Sequence, residues 1–259
     1  MSPLTRIYAI VALLALATSL TSNAASADLK GDEIATAQGP LIIHPVFHAS
    51  IVMAWDNKII DFDPVGGSQR YGDLPKPDII FITHIHPDHL DLKTLALIDQ
   101  RSTKLVVPQS VFDKLPDNLQ KQARIIGNGE MAVVDGIKVE AIAMYNLPDA
   151  GKRIYHPKGL GNGYVLTLGG KRIYISGDTD GTPEMRALKD IDVAFICMNP
   201  PYTMPVEQAA DAVLAFTPKI VYPYHYRSPT GLNDIGKFKD LVSTDKSIEV
   251  RIRDWYPHQ

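Results

Sequence analysis

The sequence predicts an α/β fold in a single domain, with two β-sheets packed face to face and helices on the outside. Three observations predict it. Short apolar runs, each bounded by turn-forming Gly, Pro, Asp or Asn, recur along the chain. Stretches of helical periodicity are interspersed with them rather than gathered at one end. No low-complexity linker and no composition break divides residues 28–259, so one domain accounts for that span.

Residues 1–27 stand apart from the fold. Arg6 precedes an apolar stretch over residues 7–20, and small residues follow up to Ala25-Ser26-Ala27. This is the pattern of a secretory signal peptide cleaved after Ala27, and it places the mature chain in the periplasm or outside the cell. No transmembrane span is expected in the mature chain.

The elements follow in order. Residues 28–39 are a polar lead-in, and residues 41–44 read as the first strand. Residues 51–54 and 58–61 form a hairpin around Asp56-Asn57, and residues 61–67 are a loop broken by Pro64, Gly66 and Gly67. Residues 78–82 are a buried strand, and Asp91 caps a helix from Leu92 to about Gln100. A strand at 104–107 precedes a short helix near 110–114. Residues 124–144 hold three short strands with turns at Gly127-Asn128-Gly129 and Asp135-Gly136. Residues 145–163 are polar, Gly-rich and aromatic, and form an ordered loop. A hairpin over 164–168 and 171–176 turns at Gly169-Gly170, and a helix led by Pro183 follows. Strands at 193–198, 220–222 and 248–252 alternate with helices from Pro205 to Phe216 and over 235–241. Loops after Thr83, Met144, Ser176, Met198 and Tyr224 gather at one rim, where sites form in layered α/β folds.

Composition narrows the function. The chain has 259 residues and a net charge of −3, which gives no basic face for nucleic acid. Its single cysteine, Cys197, excludes an intramolecular disulfide and a cysteine-rich zinc finger. It lies in an apolar run and reads as a buried small hydrophobe.

The chemistry concentrates in Thr83-His84-Ile85-His86-Pro87-Asp88-His89. Alternate side chains of an extended chain point the same way, so His84 and His86 reach one point. Asp88 and His89, on the turn after Pro87, approach a second. Imidazoles and carboxylates converging at a strand end are ligands for divalent cations.

This motif, then Ser176-Gly177-Asp178-Thr179, then Tyr222-Pro223-Tyr224-His225, resembles the metallo-β-lactamase superfamily. Phe47-His48-Ala49-Ser50 and Asp61-Phe62-Asp63-Pro64 narrow the likeness. They resemble the metal-dependent hydrolases that include ascorbate-phosphate lactonases and N-acylphosphatidylethanolamine phospholipase D-like enzymes. The resemblance spans residues 41–252 and implies a four-layer αββα sandwich. It assigns His84 and His86 to one metal, Asp88, His89 and His225 to a second, and Asp178 to both. It implies two Zn²⁺, with Mn²⁺ or Fe²⁺ as alternatives, and a metal-bound hydroxide oriented or deprotonated by Asp88. The implied reaction is hydrolysis of an ester-like bond, phosphodiester or lactone, in a small or lipid-like anionic substrate.

The sequence departs from the family where a third histidine usually follows the strand ending near Met144. Here the chain reads Met144-Tyr145-Asn146, and the third ligand is either His156 or else Asn146 or water. Asp63 is read as a brace for the ligand loop, and His48 as a substrate contact, a brace, or a core histidine. The expected rim carries Tyr145, Tyr155, Tyr164, Tyr202, Tyr224, Tyr226, Lys152, Arg153, Lys158 and Arg227. They read equally as a substrate pocket or as ordinary surface. Three other functions stay open: an iron redox enzyme on this fold, a β-lactamase, and a non-catalytic metal- or ligand-binding protein. The oligomeric state is left open.

Overall fold

The computed structural model describes residues 29–99, 102–148 and 153–257; residues 1–28, where the signal peptide is expected, and Gln100 and Lys152 lie outside them. The first sheet runs in chain order: β1 (Asp32–Thr36), β2 (Gly39–Phe47), β3 (Ser50–Trp55), β4 (Lys58–Phe62), β5 (Ile79–Phe81), β6 (Lys104–Val107) and β7 (Ala123–Ile125). The pairs from β1 to β4 are antiparallel, and those from β4 to β7 are parallel. The second sheet repeats the plan. Strands β8 (Met131–Val134), β9 (Ile137–Met144), β10 (Gly161–Leu168) and β11 (Lys171–Ile175) pair antiparallel. Strands β12 (Val193–Cys197) and β13 (Ile220–Tyr224) then add in parallel. A small hairpin of β14 (Arg227–Ser228) and β15 (Gly231–Leu232) intervenes before β16 (Glu249–Val250) completes the sheet.

Strand alternation sorts the core into layers. Ile79 and Phe81 of β5, and Val106 of β6, join the large core with Val139, Tyr164 and Ile175 of the opposite sheet. Ile80, Leu105 and Val107 face the other way. There they meet Tyr71 of α1 (Gly67–Tyr71), Leu95 and Ile98 of α2 (Leu92–Ile98), Val111 of α3 (Gln109–Phe112) and Leu119 of α4 (Asp117–Gln120). On the far side, α5 (Pro183–Arg186), α6 (Val206–Phe216) and α7 (Ile235–Val242) bury Met185, Ala209, Val213, Phe238 and Val242. The order of layers is helix, sheet, sheet, helix, as the resemblance implies.

The departures have local causes. Residues 32–36, expected in the polar lead-in, form strand β1; it is an edge strand that buries only Ile34, so its sequence carries no apolar run. The expected loop after Asp63 contains α1, which Gly66 makes accessible by turning the chain in a left-handed conformation at φ 100°. Helix α4 follows α3 where none was expected, and β16 spans two residues instead of five.

Candidate metal centre

Strand β5 ends at Phe81, and the chain then delivers its ligand types on a tight turn. The amides of His89 and Leu90 both donate to the His86 carbonyl, at 2.9 and 2.8 Å. His86 Nδ1 lies 3.1 Å from His84 Nε2 and 3.1 Å from His156 Nε2. A second group stands beside this one. The Nε2 atoms of His89 and His225 are 3.2 Å apart, and each is 3.3 Å from Asp178 Oδ1. Asp88 Oδ2 is 3.5 Å from His225 Nε2 and 3.9 Å from His89 Nε2. The other oxygen of Asp178 is 3.5 Å from His156 Nε2, so this carboxylate faces both groups.

These spacings fit metal ions. Tetrahedral zinc with bonds of about 2.0–2.1 Å holds its donor atoms about 3.3 Å apart; the distances of 3.1–3.5 Å come close to that edge length, and Asp88 to His89, at 3.9 Å, is longer. Asp178 is 2% exposed, and its Oδ1 has no hydrogen bond of good geometry. A buried carboxylate oxygen facing two imidazole nitrogens without such a bond suits a cation ligand. His84, His86 and His156 would hold one ion; Asp88, His89 and His225 would hold the other, with Asp178 between them.

Asn146 is spent elsewhere. Its Oδ1 accepts the backbone amides of Tyr155 and His156, both at 2.9 Å, and its Nδ2 donates to the Tyr202 carbonyl at 2.8 Å. The side chain thus clamps the loop that presents His156.

Other contacts hold the ligands. Asp63 Oδ2 accepts from His89 Nδ1 and Thr83 Oγ1, each at 2.7 Å, and its Oδ1 accepts the Thr83 amide at 2.7 Å. This fixes the tautomer of His89 and turns Nε2 toward the cluster. His48 Nε2 is 3.0 Å from Asp88 Oδ2, and its Nδ1 is 2.9 Å from the Tyr256 hydroxyl. The His225 amide donates to the His48 carbonyl at 3.2 Å. His48, Asp63 and His225 have φ of 58°, 43° and 47°, a left-handed conformation costing non-glycine residues about 1–3 kcal/mol each. Their clustering here marks a place where the fold overrides local preference. Gly177, at φ 60°, precedes Asp178, and a Cβ there would meet Met144 Sδ at 2.6 Å.

The two groups differ electrostatically. Burial lowers His84, His86 and His156, the last to about 4, so all three are neutral near pH 7 and ready to ligate. Burial also opposes the charged forms of His89 and His225, but Asp178 outweighs it, joined by Asp63 and Asp88 at His89, and raises both. For Asp88, burial opposes ionisation, and the charge of His89 with hydrogen bonds from His225 and His48 overcomes it, holding the carboxyl far down. His48 is lowered to about 4 by burial and by His225, against the pull of Asp88.

The cluster floors a cavity of about 550 Å³ whose walls include Tyr155, Tyr202, Asn199 and Arg227. Tyr155 and Tyr202 meet edge to face with centroids 4.8 Å apart, and the Arg227 guanidinium lies 5.6 Å from the centre of the Tyr256 ring. Among the described residues, other members of the expected rim fall elsewhere. Tyr164 and Tyr224 are core residues whose hydroxyls bond the Ile82 carbonyl and the Gly177 amide. Lys158 pairs with Glu184, and Arg153 stacks on Tyr155. Two residues escaped the sequence reading. Tyr256 meets His48 across 208 positions with no local signal. Asn199 could have been suspected from its place after an apolar strand.

Comparison with known proteins agrees with this architecture. Residues 60–226 match the family model of the β-lactamase superfamily domain. A UPF0173 metal-dependent hydrolase of Pelotomaculum thermopropionicum is 32% identical over 218 residues, covering 79% of this chain and 93% of the relative. One from Pyrococcus abyssi is 28% identical over 214 residues, covering 78% and 92%. Among solved structures, a proposed metal-dependent hydrolase from Parabacteroides distasonis superposes with a TM-score of 0.77 at 42% identity, covering 86% of this chain and 98% of that one. With its sandwich fold and paired histidine–aspartate groups, the chain belongs to the β-lactamase superfamily. Within it, the chain is a member of the UPF0173 family of metal-dependent hydrolases.

Proposed function

We propose that this chain is an exported dinuclear zinc hydrolase acting on an ester-like bond, phosphodiester or lactone, of a small anionic substrate. One observation carries the reading: two adjacent groups of imidazole and carboxylate donors, with Asp178 facing both, lie on the floor of a cavity that one cation, Arg227, overlooks. The leader pattern of residues 1–27 supports export. Bound there, two divalent ions supply Lewis acidity and a water acidic enough to ionise near neutral pH.

The chain's own residues do the rest. Asp88 is a ligand-type carboxylate open to the cavity, with its side chain 41% exposed. Ionised and hydrogen-bonded to His48, it is placed to orient a water by accepting a hydrogen bond from it. Asp178, His89 and His225, almost fully buried, keep bulk solvent from the floor. Arg227 attracts the anionic part of the substrate, and Tyr155 and Tyr202 offer apolar faces beside it.

The test is metal analysis of the purified protein with a panel of phosphodiesters, lactones and β-lactams. Expected are about two zinc ions per chain, turnover of a phosphodiester or lactone, and a kcat lowered about 10²–10⁴-fold in Asp88→Asn. Absence of bound transition metal, with no turnover after adding Zn²⁺ or Mn²⁺, overturns the reading. Bound iron with oxygen consumption replaces hydrolysis with redox chemistry.

A further inference from the structure

We infer that a short apolar arm of the substrate lies in a cleft beside the first histidine group. The inference rests on the hydrolase reading of the site and extends it to the shape of the substrate. A cleft of about 70 Å³ opens next to the main cavity, and the two share His86, Tyr155 and His156 as lining. His84 closes it on the side of the histidine group; its other walls are apolar, with Ile85, Met144, Pro157 and Leu160 prominent, and it contains neither a carboxylate nor a lysine or arginine. Ile85 and Leu160 stay 37% and 47% exposed at its mouth. Large aliphatic side chains held open beside a polar cluster suit an apolar ligand group.

Size and charge limit what enters. At about 70 Å³ the cleft is small, with room for a few methylene-sized groups or the edge of a ring. Away from the three histidines, along Ile85, Pro157 and Leu160, a charged group would lose hydration without gaining a partner. The cation of the main cavity is Arg227, and among the described residues it has no acidic partner. The substrate is therefore polarised: its anionic part lies toward Arg227 and a short apolar arm toward Leu160.

Calorimetry with straight-chain alkanoates, from acetate to octanoate, on the metal-loaded protein tests this. Affinity is expected to rise about fourfold per methylene up to about four or five carbons, and then to flatten. In Leu160→Asn the gain falls below about twofold per methylene, with acetate affinity and metal content unchanged. Leu160→Met retains the gain. Equal affinities along the series in the native protein, or an undiminished gain in Leu160→Asn, overturn the inference. The readout is binding, so a protein that shows the chain-length gain yet hydrolyses no ester overturns only the hydrolase reading. One that hydrolyses the panel without the gain overturns only the apolar arm.

Discussion

Asp61 and Asp63 lie two residues apart on and just after β4, and the fold treats them in opposite ways. Asp63 uses both oxygens on Thr83 and His89. Asp61 has no exposure, and neither of its oxygens has a hydrogen-bond partner. Burial raises its carboxyl well above the usual range, because an ion there would be stripped of water with no compensating charge. The sign of the linkage follows. An acid raised in the folded state stabilises the fold fully below its unfolded pKa and loses that contribution as pH climbs to the folded value. Stability is therefore expected to fall from about pH 5 upward, by as much as about 1.4 kcal/mol per pH unit from this group alone. Asp61→Asn removes that slope and is expected to be more stable than the native protein near pH 8. Chemical denaturation across the pH range measures it, and parallel slopes in the two proteins would refute the account.

At the scale of elements, the loop from Tyr145 to Leu160 decides whether the first donor group is complete. The ordinary third histidine is missing from the end of β9, and Asn146 stands near its place as a clamp. Through one amide it holds the backbone of Tyr155 and His156 on one side and of Tyr202 on the other. A histidine ligand and two cavity walls thus share one support. Asn146→Ala is expected to weaken metal retention about 10–100-fold and to raise KM, with a smaller effect on melting temperature. Competition with a graded series of chelators, alongside KM, checks it; unchanged retention would show that the loop holds itself. Sequence made part of this legible. His84, His86, Asp88 and His89 could be read because one strand end presents them all, and β5 behind them is an unbroken apolar run. The clamp could not be read, because a side chain bonding distant backbone leaves no periodic trace. Strand β1 was hidden for a related reason: an edge strand with one buried residue looks like a polar tail. The Tyr256–His48 contact joins the C-terminal end to a hairpin near the start, and only the tertiary fold brings them together.

The whole molecule is two sheets of like topology, each with antiparallel strands leading into parallel ones, and the donor groups straddle them. His84, His86, Asp88 and His89 follow β5 of the first sheet; His156, Asp178 and His225 come from loops of the second. Neither sheet alone completes either donor group, so a cation held by the whole group binds more weakly to a separated half. A metal bound across the two sheets would add stability by mass action, about 4 kcal/mol at a free concentration a thousandfold above its Kd. The consequence is also one of time. Ligands that meet only when the sheets have docked contribute late, after the folding barrier has been crossed. Removing the metals is expected to speed unfolding in denaturant by orders of magnitude while leaving the refolding rate nearly unchanged, which stopped-flow fluorescence from the buried Trp255 and Trp55 can follow. A slowed refolding limb would place the two sheets together before the barrier instead. The straddling site thus couples the lifetime of the folded chain to the supply of metal around it.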